Sequence, residues 1–159
     1  MNSDYATKTP EELIEMIKYY RYDALTGMKQ RKDFEIDFNE RFYNEEEIFL
    51  VMIDVNNLHT VNRDLGYQAG DDLIRRVANI VKFYCMSSNY RYGGDEFMII
   101  KTTEPDMSHI RTDDACFAYI SSKEFNNPSA MLKAVDKKLT ECKIEFHKGS
   151  DRRLNASTR

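Results

Sequence analysis

Apolar positions near the start of the chain follow the spacing of a helix. Intervals of three and four residues, the period of one helical face, separate Leu13, Met16, Ile17 and Tyr20. The preceding letters TPEE form a capping box, in which the Thr9 hydroxyl accepts from the Glu12 amide and the glutamate reaches back. The pattern predicts a helix over residues 9–22 with a narrow apolar stripe. This stripe either packs on its own domain or pairs with the helix of a partner.

The next segments alternate between turn, helix and strand patterns. Residues 23–27, DALTG, have the composition of a turn, and residues 29–44 return to the helical period. A continuous apolar run over 48–53 ends at Asp54 and is too short for a buried helix. It predicts a central strand with an acid at its carboxyl end, where α/β sheets usually bind ligands.

The rest of the chain adds three helices and a further strand to the prediction, besides a hairpin over the signature described below. We expect a short helix over 56–64 that is broken at Gly66, and a longer one over 68–84. A second apolar run over 115–120 predicts another strand, and the Asn127-Pro128 pair predicts the start of a final helix. Residues 148–159 show no apolar pattern and are predicted to be a disordered tail.

This order of elements predicts an α/β (α+β) fold, with helices packed on a mixed, mainly antiparallel sheet of four to five strands. At 159 residues and 42% hydrophobic, the chain has the size of one domain with a real core. We divide it into an N-terminal helix (1–22) that is a candidate dimerisation element, a main domain (23–147) and the tail (148–159).

Charge and cysteine content narrow the function classes. The net charge of -4 gives no general attraction to nucleic acid, so a polyanionic ligand would need local cations, a metal or backbone amides. Three cysteines without a CxxC spacing argue against a disulfide framework or a structural zinc site. No signal pattern and no apolar run of about 18 residues is present, so we expect no membrane association and a cytoplasmic location.

The candidate chemistry centres on residues 91–97, RYGGDEF. Gly93 and Gly94 tolerate positive φ and are predicted to close a β-hairpin through a primed turn, with Asp95 and Glu96 at its tip. Two carboxylates at about 4 Å repel each other by roughly 4 kcal/mol at an effective dielectric of about 20, and a divalent cation reverses that repulsion. Taken alone, the motif also suits a solvated turn. With Asp54 beside it, the site would hold three carboxylates, which select Mg²⁺ or Mn²⁺.

This cluster resembles the diguanylate cyclase family, whose Gly-Gly-Asp-Glu-Phe signature is intact here as residues 93–97. The DALTG turn followed by Arg31 resembles the opening motif of the family. Further positions at the family's spacing are Asp54, Asn62, Gly66, Gly70 and Asp71. The resemblance covers residues 20–143 and implies a fold like that of nucleotidyl cyclases and polymerase palms, here shortened after the signature hairpin.

The resemblance implies phosphoryl transfer with two metal ions in each active site. Asp54, the carbonyl of Val55, Asp95 and Glu96 would hold two Mg²⁺ or Mn²⁺ ions, and Asp95 and Glu96 would be catalytic. The 3′ hydroxyl of one GTP would attack the α-phosphate of another and expel pyrophosphate, which leads to cyclic di-GMP. Because each domain of the family holds one GTP, the active form would be a homodimer.

Substrate contacts are also implied. Asn62 and Asp71 would together satisfy the hydrogen-bonding edge of guanine, which adenine does not match. The alternatives are a helix-end role for Asn62 and a charge matched to the helix dipole for Asp71. Further substrate-binding positions carried over from the family are His59, Tyr67 and Lys143.

Several positions depart from the family pattern. His59 stands where the family usually has lysine, Arg63 where it has aspartate, and Tyr67 where it has histidine. Residues 146–148, FHK, replace a Gly-Arg-Asn motif and remove one phosphate-binding arginine. Residues 84–87, YCMS, lack the Arg-x-x-Asp of the inhibitory product site, so product inhibition through that site is expected to be lost.

Three functions remain open at this point. The first is a diguanylate cyclase. The second is a catalytically silent module that binds GTP or a cyclic dinucleotide and signals through a regulatory partner, which the sequence does not identify. The third is a related cyclase with another nucleotide product, in which Arg63 and Tyr67 alter the choice of base.

Overall fold

A computed structural model describes residues 8–85, 88–106 and 113–156 of the chain. Within these ranges, five helices flank one five-stranded sheet. The helices are α1 (Pro10–Arg21), α2 (Arg31–Asn44), α3 (Leu58–Leu65), α4 (Tyr67–Tyr84) and α5 (Pro128–Ala156). The strands are β1 (Lys29–Gln30), β2 (Phe49–Val55), β3 (Asn89–Arg91), β4 (Glu96–Lys101) and β5 (Ala115–Ser121). The predicted α/β class is confirmed.

The sheet is mixed and mainly antiparallel, as predicted. Its strand order is β1-β3-β4-β2-β5, and only the β1–β3 pair is parallel among the described strands. All seven residues of β2 are buried, which confirms the prediction of a central strand. Asp54 lies at the carboxyl end of this strand, as predicted, and the strand continues by one residue to Val55.

Side chains of β2 alternate between two separate cores, as strand geometry requires. Leu50 and Met52 belong to the core under α2 and α5. Val51 and Ile53 belong to the core under α4. Because Asp54 continues the row of Leu50 and Met52, it lies on the side of the sheet that α2 and α5 cover.

Helix α1 begins with the predicted capping box. The Glu12 amide donates to the Thr9 hydroxyl at 3.2 Å, and the Thr9 amide donates to the Glu12 carboxylate at 2.7 Å. The helix has no buried residue, and Ile17 and Tyr20 of its apolar stripe remain 55% and 64% exposed. Leu13 and Met16 of the stripe are half-buried, so among the described residues the domain covers the stripe only in part, and pairing with a partner helix stays a prediction.

Two boundaries differ from the predictions. Residues 29–30 pair with β3 rather than starting α2, because an extended backbone there completes the edge of the sheet. Helix α5 continues through residues 148–156, where the sequence predicted a tail without regular structure. No proline interrupts this stretch, and its lysine, arginine, leucine and alanine residues favour helix. Residues 157–159 lie outside the described ranges.

Two remaining expectations concern segments around the signature. Of the positions expected to lack the product-inhibition motif, residues 86–87 lie outside the described ranges, and so do residues 107–112 of the segment between β4 and β5. No helix in the described part of the chain has the length and apolar character needed to cross a bilayer.

Candidate metal and nucleotide site

The signature residues form the connection between β3 and β4. These strands pair as an antiparallel hairpin with Arg91 opposite Phe97, and the amides of Tyr92 and Gly93 both donate to the Glu96 carbonyl, at 2.8 and 3.2 Å. The hairpin prediction is confirmed, but the primed turn is wrong. Neither Gly93 nor Gly94 has positive φ, because a four-residue loop (92–95) closes the strands without a left-handed backbone.

Gly93 is required for space rather than for backbone conformation. A Cβ atom at this position would lie 2.4 Å from Oε2 of Glu96, whereas one at Gly94 would have no atom within 4 Å. The Glu96 carboxylate thus folds back over Gly93. The first glycine of the signature makes room for one of its acids.

Strand pairing brings the three acids together. Asp54 of β2 is the register partner of Glu96 on β4. The Val55 amide donates to the Asp95 carbonyl at 2.9 Å and fixes the loop against the end of β2. Asp54, Asp95 and Glu96 therefore meet at one edge of the sheet, although they come from distant parts of the sequence.

Burial and mutual repulsion raise the pKa values of two acids at this edge of the sheet. Burial raises the pKa of the Asp54 carboxyl, and the charge of Asp95 raises it further, while Lys143 acts in the opposite direction. Burial likewise raises the pKa of Glu96, and the charges of Asp54 and Asp95 add to this effect. The edge therefore favours a positive charge.

Helix α5 supplies one positive charge to this edge. Nζ of Lys143 lies 2.6 Å from Oδ2 of Asp54. Asp136 precedes Lys143 by two helical turns, is exposed, and contributes a further negative charge near Glu96. The predicted substrate-binding lysine thus lies against a predicted metal ligand.

The donor set suits Mg²⁺ or Mn²⁺ in chemistry, since carboxylate and carbonyl oxygens are the ligands these ions prefer. Among the residues that the structure describes, no three histidine, cysteine or acidic side chains are arranged so that they could hold a metal ion by themselves, so the ligand set at this edge is open. An open set is what Mg²⁺ sites on nucleotides usually show, with one or two carboxylates completed by phosphate oxygens. The residues of the acidic edge therefore fit a metal carried in with a phosphate ligand.

A second group of predicted residues lies where α3 meets α4. Asn62 of α3 packs on Gly70 of α4, where an added Cβ would lie 1.8 Å from the Asn62 Oδ1 atom. Asp71 follows Gly70 directly and is partly buried. Gly66 joins the two helices with a φ of 87°, a conformation that favours glycine. The two predicted base-reading residues thus occupy one junction.

The remaining predicted substrate contacts are exposed side chains on the same two helices. His59 on α3 is exposed and lies near Asp64 of the same helix. Tyr67 begins α4 and is 82% exposed. A ligand at the α3–α4 junction would find both side chains unburied.

An ion pair that was not predicted from the sequence supports the hairpin. Nη1 of Arg91 donates to both carboxylate oxygens of Asp23, at 2.9 and 3.0 Å, and Nη2 donates to the Gly94 carbonyl at 2.6 Å. Burial alone would raise the pKa of Asp23, but hydrogen bonds from Thr26 and Arg91 hold it below its ordinary value. The sequence features that could have indicated this pair are Asp23, which opens the DALTG turn, and Arg91, which lies shortly before the signature.

The fold and its acidic edge define a nucleotidyl-cyclase-like domain with the Gly-Gly-Asp-Glu-Phe signature on a hairpin. A family model described as "Diguanylate cyclase, GGDEF domain" matches residues 20–116. The chain belongs to that family.

Individual relatives agree with this assignment. Diguanylate cyclase VdcA of Vibrio cholerae is 29% identical over 96 residues, which are 59% of this chain and 28% of the relative. Diguanylate cyclase DgcZ of Escherichia coli is 30% identical over 100 residues, which are 60% of this chain and 32% of that protein. The match thus spans about a third or less of these curated relatives.

A solved structure shows the same fold. The coiled coil and GGDEF domain of DgcB from Caulobacter crescentus, in complex with c-di-GMP, superposes with a TM-score of 0.75 at 21% identity. The superposition covers 82% of this chain and 84% of the other.

Proposed function

We propose that this chain is a diguanylate cyclase domain that condenses two GTP molecules into cyclic di-GMP and pyrophosphate as a homodimer. The observation that carries the proposal is the pairing of Asp54 with Glu96, with Asp95 beside them. Membership of the GGDEF family supports it, and so do the curated relatives described as diguanylate cyclases.

Asp54, the Val55 carbonyl, Asp95 and Glu96 would hold two Mg²⁺ or Mn²⁺ ions, which neutralise the triphosphate and lower the pKa of the attacking hydroxyl. The Asp95 carboxylate accepts the proton of the 3′ hydroxyl. The new bond joins that oxygen to the α-phosphorus, and the bond to the β-phosphate oxygen breaks as pyrophosphate leaves. Most of the acceleration comes from positioning and charge neutralisation.

Guanine is the base that the α3–α4 junction suits. The Asn62 amide donates to the O6 atom, and the Asp71 carboxylate accepts from the N1 and N2 donors. The contact between Asn62 and Gly70 holds the amide in place. His59 and Tyr67 are placed to contact the ligand from the exposed surface, and Lys143 to contact its phosphates.

A homodimer follows from the reaction, since one domain holds one GTP and two phosphodiester bonds must close. The partly exposed apolar stripe of α1 is the candidate pairing element, because Ile17 and Tyr20 are free to contact a second copy.

A second candidate is a silent module that binds GTP or a cyclic dinucleotide. It is favoured by the exposed His59, because histidine stands where the family usually has the permanently charged lysine near the phosphates. The same side chain would still permit nucleotide binding at the α3–α4 junction.

The deciding experiment incubates the purified chain with GTP, and separately with ATP, in the presence of Mn²⁺, and identifies products by mass spectrometry. We expect cyclic di-GMP from GTP and no product in a matched reaction with excess EDTA. Bound GTP without product would support the silent module. Product from ATP alone would identify a cyclase with another base preference.

Gly93→Ala should lower cyclic di-GMP synthesis by about ten- to a hundredfold, because the added methyl displaces the Glu96 carboxylate. The obstructing atom is the end of a flexible side chain, so stability in urea should change by less than about 1 kcal/mol. Gly94→Ala is the matched control, since its methyl enters open space, and it should behave as the parent. Equal rates for the two variants would contradict the spatial role of Gly93.

A further inference from the structure

The contact between Lys143 and Asp54 joins two groups of unequal freedom. The Asp54 side chain is 6% exposed and fixed in the central strand, whereas the Lys143 side chain is 38% exposed on helix α5. Lysine carries its ammonium on a flexible stem of four carbons. If the pair separates, the ammonium is therefore the group that moves.

A divalent ion at the acidic edge would bind the same carboxylate. Oδ2 of Asp54 lies 2.6 Å from the ammonium, so a metal bound to this carboxylate would place two cations within a few ångströms of each other. Their repulsion in a partly buried site disfavours simultaneous binding. The ammonium and the metal thus compete for Asp54.

A second cation near this edge, among the residues that the structure describes, is already engaged. Arg31 of α2 interacts electrostatically with Glu96, but its Nε donates to Glu35 at 2.8 Å and its guanidinium lies 4.5 Å from the centre of the Tyr92 ring. Lys143 is the cation that bonds to Asp54 in the described ranges. Without the Lys143 ammonium, the buried Asp54 carboxylate would need a cation from solution to balance its charge.

We propose that Lys143 is an internal counter-ion of the metal site, which occupies Asp54 in the metal-free protein and leaves it when a divalent ion binds. This inference rests on the proposed function, because it assumes that Asp54 is a metal ligand. The contact between Lys143 and Asp54 would then be autoinhibitory, because a metal ion that binds without nucleotide must displace the lysine. A triphosphate offers the released ammonium a new partner, so metal and nucleotide bind more readily together than separately.

The test measures Mn²⁺ binding to the full chain without nucleotide, by the loss of the electron paramagnetic resonance signal of free Mn²⁺. Lys143→Met should bind Mn²⁺ on the order of tenfold more tightly than the parent, as expected for the removal of a close competing charge. Lys137→Met removes an exposed charge from the same helix and should match the parent. Adding Asp54→Asn to Lys143→Met should abolish the gain.

Thermal unfolding gives a second readout. Mn²⁺ should raise the Tm of Lys143→Met more than that of the parent, and should restore the fold if the variant is unfolded without metal. Equal Mn²⁺ affinity in the parent and Lys143→Met would overturn the counter-ion role while leaving the metal site intact. Failure of Lys143→Met to bind Mn²⁺, or to fold with it, would overturn both that role and the proposed metal site.

Discussion

Replacing Glu96 with glutamine should abolish cyclic di-GMP synthesis and at the same time stabilise the metal-free protein. Glutamine keeps the shape of the side chain but removes a negative charge from the proposed metal site, so we expect activity to fall on the order of 10³-fold. In the absence of metal, burial disfavours the Glu96 charge, and Asp54 and Asp95 repel it. The neutral side chain removes both penalties.

The stability gain should depend on pH. Because the folded pKa of Glu96 lies above its unfolded value, its protonation contributes stability that is complete below the unfolded pKa and lost as pH rises through the folded pKa. Glutamine stays neutral at every pH. The stability of Glu96→Gln relative to the parent should therefore grow as the pH rises from the unfolded pKa through the folded pKa of Glu96. The charged groups that act with Glu96 in this region are Arg31, Asp54, Asp95, Asp136 and Lys143.

Urea unfolding in EDTA at several pH values, together with product assays in Mn²⁺, checks both halves of this prediction. Glu40→Gln is the control, because Glu40 is exposed on α2 and should change neither quantity. A Glu96→Gln variant that keeps parental turnover would remove Glu96 from the proposed metal site. A variant less stable than the parent at neutral pH would show that its charge is favourable in the fold.

Arg91→Met should destabilise the fold by about 2 to 3 kcal/mol, a loss typical of charged hydrogen bonds in a partly buried pair. Arg91 and Asp23 are 15% and 23% exposed, so water screens their interaction only in part. Loss of the guanidinium also frees the Gly94 carbonyl and loosens the loop that carries Asp95. Activity should therefore fall together with stability.

Arg75→Met provides the comparison for this loss. Arg75 pairs with Asp72 on the exposed surface of α4, where such pairs contribute within about 1 kcal/mol. Urea denaturation of both variants measures the difference. If Arg91→Met unfolds at the same urea concentration as Arg75→Met, the tie between the turn and the hairpin does not stabilise the protein.

Much of the fold could be predicted because period and length distinguish its elements. The continuous run of β2 and the striped pattern of α4 carry this information locally. The sequence predicted that Asp54 would meet the signature acids if its strand and the hairpin were neighbours in the sheet, and the strand order meets that condition. The resemblance to the GGDEF family then named the same residues.

The remaining features depend on tertiary structure. That Asp54 lies within β2 and opposite Glu96 is a matter of register, which the pattern of a single strand does not reveal. The contact of Lys143 with Asp54 depends on how α5 packs across the sheet. The sequence predicted a positive φ at Gly93, whereas the structure shows that this glycine makes room for the Glu96 side chain. Glycine is used for both purposes, and only the folded structure distinguishes them.

The pairing of β2 with β4 also limits where the chain tolerates insertions and deletions. Successive strand residues face opposite sides of a sheet, so one residue added within β4, between Glu96 and Lys101, would send the side chains beyond it to the wrong layer. A change of length between β4 and β5 leaves the pairs of both strands with β2 intact. Insertions and deletions therefore preserve the acidic edge only when they fall outside the paired segments of the strands.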